Sequence, residues 1–100
     1  LNPAKVVREK VSQLTDLPNI GKTVAADLKS IGITEPSQLV GQDPYALYVR
    51  FCEAFGERQD PCMLDVLMSI TNFMDGGAAK VWWDYTAERK RLYGSGKLGD

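Results

Sequence analysis

Three observations predict an all-α fold for this chain. Apolar residues recur at helical spacing, as in Val24, Ala25, Leu28 and Ile31, and again in Leu64, Leu67, Ile70, Phe73 and Met74. Three segments open on a capping residue followed by proline: Asn2-Pro3, Asp43-Pro44 and Asp60-Pro61. Glycines stand where segments should stop, at Gly32, Gly56 and Gly76-Gly77. One hundred residues, 44% of them hydrophobic, suffice for one core and are too few for two.

Taken in order, the first helix is expected to start at Asn2-Pro3 and run to Thr15, with Val7, Val11 and Leu14 on its apolar side and Lys5, Arg8, Glu9 and Lys10 as a solvated face. Residues 15–21 form a tight turn of Pro18, Asn19 and Gly21. The second helix, over 22–31, ends at Gly32, and Ile33 returns to the core. A short helix over 34–40 is broken at Gly41. Asp43-Pro44 opens a helix carrying Leu47, Tyr48, Phe51 and Phe55, stopped by Gly56. The helix from Asp60-Pro61 is apolar on nearly every side and belongs at the centre of the domain or at a dimer contact. Asp65 within it calls for a partner, either Arg58 or a residue near the C-terminus. Thr86 is the expected N-cap of a last, basic helix. Of the adjacent Trp82 and Trp83, one is expected in the core and the other on a contact surface. The domain therefore spans 1–93, with a principal hairpin unit at 15–33, a degenerate second unit at 34–55 and C-terminal helices at 60–93; residues 94–100 read as a flexible tail.

The hairpin is where chemistry is expected. A turn that delivers the chain straight into a helix beginning Lys22-Thr23 leaves backbone N–H groups pointing outward beside a positive charge. That is an anion site, and phosphate is its natural occupant. The turn after it, residues 40–44, has an Asp and a Pro where phosphate would need free N–H groups, so it is expected to be structural.

Composition excludes several classes. There is no histidine and no CxxC pair, which removes the usual zinc sites and the Ser-His and Cys-His nucleophilic pairs. Cys52 and Cys62 are expected as buried thiols rather than a disulfide. Cys62 also lies in the first turn of a helix, where the dipole would lower a thiol pKa, but burial in the core is expected ahead of a redox-sensitive role. Asp60, Asp65 and Asp84 are read as solvated or capping groups, so no enzyme is expected. No stretch approaches 18 apolar residues and the start lacks a signal pattern, which predicts a cytoplasmic protein without a membrane span. Net charge is −1, but residues 31–79 are acidic while both ends are mildly basic.

Leu17-Pro18-Asn19-Ile20-Gly21 with Ala25, Leu28 and Gly32-Ile33 resembles a helix-hairpin-helix motif, with Asn19 standing where the first hairpin glycine usually sits. Asn is the non-glycine residue that best tolerates positive φ. With Asp43-Pro44, Leu47-Tyr48, Asp60-Pro61-Cys62, Trp82-Trp83-Asp84-Tyr85-Thr86 and Glu88-Arg89-Lys90, nearly the whole chain resembles the small bacterial "pathogenicity locus" family of helix-hairpin-helix proteins, some of whose members are labelled mitomycin-resistance proteins. Residues 17–55 are more distantly similar to the C-terminal domain of the competence regulator TfoX. The resemblance implies a helix-hairpin-helix pair, a SAM-like bundle with additional C-terminal helices. It also implies sequence-independent binding of the DNA backbone by the N–H groups of Asn19, Gly21, Thr23 and Val24, with Lys22 adding charge. In some members of the class hairpin carbonyls, here those of Thr15, Leu17 and Ile20, hold a monovalent cation; no other cofactor is implied.

The leading expectation is weak DNA binding without base readout, at roughly 10⁻⁴ to 10⁻⁶ M, helped by Arg89, Lys90 and Arg91 or by a homodimer. The alternative is a protein-interaction or dimerisation module in which the hairpin is only a turn and the acidic middle, helix 61–74 and the Trp82/Trp83 pair supply the surface.

Overall fold

The computed structural model describes residues 5–94; the expected Asn2-Pro3 start and the tail from residue 95 onward lie outside them. All regular structure among the described residues is helical: α1 (Lys22–Ser30), α2 (Pro44–Phe55), α3 (Pro61–Met74) and α4 (Thr86–Tyr93), with short 3-10 turns before α1, between α1 and α2, and between α3 and α4.

α3 is the axis. Leu64, Leu67 and Ile70 are fully buried and even Asp65, Ser69 and Thr71 are enclosed, as expected for a helix that is apolar on nearly every side. α2 packs on one flank of it. The 3-10 turn Trp82–Tyr85 and α4 pack on another. Asp43 and Asp60 cap their helices by accepting from Tyr45 N at 3.1 Å and Cys62 N at 2.8 Å, each with proline in the first turn. Gly56 ends α2 in the left-handed region. Arg50 of α2 donates to the Ile31 carbonyl at the end of α1, so the two helices hold each other.

The N-terminal segment departs from expectation. In place of an α-helix up to Thr15 there are two separate 3-10 turns, Arg8–Lys10 and Leu14–Asp16, and Val7 is 47% exposed. The cause is local. The Asp16 carboxylate accepts from Ser12 N at 3.0 Å, Gln13 N at 3.1 Å and Ser12 Oγ at 3.2 Å. Those bonds hold Gln13 extended and restart the chain as a new turn, the competition with helix that Ser, Asn and Asp side chains offer. The same backbone bonds hold the Asp16 carboxyl below the ordinary aspartate value. Arg8 is not part of a merely solvated face. Its guanidinium donates to the Phe73 carbonyl and, at 2.6 Å, to that of Gly77, and lies 4.1 Å from the centre of the Phe73 ring.

Thr86 does not cap α4. The Trp82–Tyr85 turn runs directly into the helix with Tyr85 already in helical conformation, so no cap is called for. The Thr86 hydroxyl instead donates to Asp65 Oδ2 at 2.7 Å. Arg89 Nε donates to Oδ1 of the same carboxylate at 2.5 Å. Of the two partners open for Asp65, the C-terminal one is realised, and Asp65 is neither solvated nor a cap.

The candidate nucleic-acid interface at the hairpin

Leu14, Leu17 and Ile20 are buried on one side of the hairpin, and Ala25 and Leu28 on the other. These five apolar side chains fix the turn between them. At its tip Asn19 adopts φ 69°, and it is the non-glycine residue with positive φ among the described residues. Its amide stays put because Nδ2 donates to Ser69 Oγ at 3.0 Å and to the Lys80 carbonyl at 2.8 Å. A glycine there would relieve the backbone but lose both bonds.

α1 then starts at Lys22, with Gly21 as its N-cap and no side chain capping its first turn. The first backbone bond of the helix runs from Ala25 N to Gly21 O at 3.0 Å. Gly21, Lys22 and Thr23 are exposed and Val24 is half-buried. An added Cβ at Gly21 would meet nothing within 4 Å, so the approach to these N–H groups is open. The geometry suits an anion: unfilled donors, the positive end of a helix and a lysine at one place.

The turn at 40–44 has the opposite character. Gly41 N donates to Asp75 Oδ1 at 2.8 Å and Asp43 turns its carboxylate onto Tyr45 N. Its donors serve the fold, as its sequence leads one to expect.

Two groups were placed differently by sequence. Arg89, expected to help at the basic end, is 4% exposed and spent on Asp65; Lys90 and Arg91 remain on the surface. Cys62 does not have the lowered pKa expected of a first-turn thiol. Burial pushes it up, and the neighbouring Asp60 carboxylate pushes the same way. Both cysteines are free thiols and half-buried. With its pKa raised, Cys62 should react with iodoacetamide at pH 8 several-fold more slowly than the same thiol in the urea-unfolded chain; mass spectrometry showing equal rates would contradict this environment.

What the sequence did not disclose is the segment that leans on the hairpin. Val81, Trp82 and Trp83 join Asn19 and Gly21 around a cleft of about 280 Å³. Trp82 is half-buried, whereas Trp83 is 59% exposed and meets it edge-on, with ring centres 5.4 Å apart and planes at 87°. Sixty-one residues separate Asn19 from Lys80, and no local pattern announces that contact.

A tight turn followed directly by a helix that no side chain caps, set in an all-α core, defines a small helical domain. The chain matches the pathogenicity locus family (Cdd1) over residues 7–91 and belongs to it. It is similar to the mitomycin resistance protein McrB of Streptomyces lavendulae, with 52% identity over 81 residues that cover 81% of this chain and 77% of that protein. No solved structure matches. Among the described residues no helix is long and apolar enough to cross a membrane.

Proposed function

We propose that this protein binds DNA through its phosphate backbone, without base readout and without catalysis, using the N–H groups of Asn19, Gly21, Thr23 and Val24 with Lys22 beside them. The observation that carries this reading is the α1 N-terminus: exposed, uncapped by any side chain and held at a rigid turn. A single hairpin with one lysine neutralises few phosphates, so binding should be weak and salt-sensitive, near ~10⁻⁴ to 10⁻⁶ M. The carbonyls of Thr15, Leu17 and Ile20 belong to the same proposal as ligands of a monovalent cation. Leu17 O accepts only a long bond, 3.4 Å, from Ile20 N, and neutral oxygens suit a singly charged ion. The name of the Streptomyces relative makes resistance to mitomycin the setting we propose for this binding.

Fluorescence anisotropy of a labelled duplex tests the reading. Lys22→Glu puts a negative charge at the phosphate and should lower affinity more than tenfold while flattening the salt dependence by about one unit of slope or more. Equal affinity of wild type and variant would remove the hairpin from the account.

A second reading is favoured by α2. Tyr45, Val49 and Cys52 line a cleft of about 530 Å³ together with Glu53, Glu57 and Arg58, and Val49 and Phe55 are exposed. Such a face suits a protein partner or a second copy of the chain. Sedimentation equilibrium separates the two: a strict monomer that binds DNA supports the first, a dimer that does not supports the second.

A further inference from the structure

We propose that the Trp83 indole stacks an unpaired base beside the hairpin, so that the DNA preferred is single-stranded. The inference rests on the backbone reading above and adds to it the form of the ligand. A duplex buries the faces of its bases, and an exposed indole has nothing to stack on there; a single strand offers them. Trp83 is the most exposed of the large hydrophobic side chains among the described residues. It is not loose: its ring makes a T-shaped contact with Trp82, the planes at 87°, and the 3-10 turn that carries both is packed on α3.

The place of the ring is what ties it to the hairpin. Trp83, Trp82 and Val81 form one wall of a cleft whose other wall is Asn19 and Gly21, the residue that caps α1. A phosphate on the α1 N–H groups and a base on the indole would therefore occupy neighbouring positions. The surroundings complement a polyanion. Lys22 follows Gly21 and is exposed, and Lys80 is also exposed, with its ammonium 5.8 Å from the centre of the Tyr85 ring. Asp84 adjoins Trp83 and is the nearest acidic residue in sequence, which keeps the expected affinity modest.

The test compares three labelled ligands of equal length: oligo(dT), the same strand with abasic sites, and a duplex. They are titrated with wild type, Trp83→Ala and Lys22→Glu at low salt. Base stacking on an aromatic side chain corresponds to about 5- to 100-fold in affinity. Wild type should bind oligo(dT) more tightly than the abasic strand by such a factor, and Trp83→Ala should erase that difference while leaving duplex affinity within about twofold. Trp83→Phe should retain part of it. Because Trp83 is on the surface, circular dichroism should find the variant as helical as wild type. Oligo(dT) and abasic strands bound equally by wild type, with Lys22→Glu still weakening both, would overturn the stacking and leave the backbone reading standing. Binding of none of the three would overturn both.

Discussion

Asp65→Ala is expected to destabilise the protein by about 3–5 kcal/mol, the cost of removing one partner from a buried ion pair. The carboxylate is fully enclosed and accepts from Arg89 and Thr86 together. Arg89 is itself buried, with Nη1 already lacking a hydrogen-bond partner among the described residues. Without Asp65 the whole guanidinium would be left uncompensated in the core. Domains of this size have only about 5–15 kcal/mol of stability in total. Urea unfolding followed by circular dichroism should show the midpoint fall sharply. Removing both charges, as in Asp65→Leu with Arg89→Met, should recover much of the loss. A midpoint within experimental error of wild type for Asp65→Ala would mean that the pair is not what fastens α4 to α3.

Phe73→Ala should be nearly as damaging, at about 3–5 kcal/mol, from lost burial and the cavity left behind. Phe73 is 2% exposed in the last turns of α3. Its ring also lies under the Arg8 guanidinium, so the substitution removes that contact as well as emptying the core, while the Arg8 bonds to the Phe73 and Gly77 carbonyls remain. For a domain of this length such a loss lowers Tm by more than about 12 °C. Arg8→Ala provides the comparison. It should lose far less, since only the contacts to Phe73 and Gly77 go and no cavity forms. A small shift for Phe73→Ala together with a large one for Arg8→Ala would reverse this ranking.

The elements legible in the sequence were those whose causes are local. Asp43-Pro44 and Asp60-Pro61 set helix starts because cap and proline act within one turn, and Gly56 set a stop because αL geometry needs nothing distant. Asn19 was legible for the same reason, its residue type matching a backbone conformation. Where a second, local hydrogen-bonding pattern competed, periodicity misled: Val7, Val11 and Leu14 keep helical spacing, yet the Asp16 carboxylate breaks the segment into two turns. Where the answer lay across the fold, nothing in the chain could supply it. Arg89 reads as one of three consecutive surface cations until its position opposite Asp65 is known. For Cys62 the sequence offers both a helix dipole and burial, and only the structure shows that burial and the Asp60 carboxylate prevail. The hairpin itself was legible as a candidate anion site, but the wall that Trp82 and Trp83 build against it was not.

The bonds from Asn19 to Ser69 and Lys80 also carry a consequence for the order in which the protein is made. The hairpin leaves the ribosome before the partners that hold its tip, which are synthesised 50 and 61 positions later. α3, on which α2, α4 and the Trp82–Tyr85 turn pack, likewise follows the hairpin in the chain. A nascent chain that has reached only α2 carries the turn sequence without its fastening, and so should emerge with the tip of the hairpin unheld. The turn is fastened only when those later residues arrive, and a protease that clips the chain near residue 80 would loosen its tip without touching the hairpin.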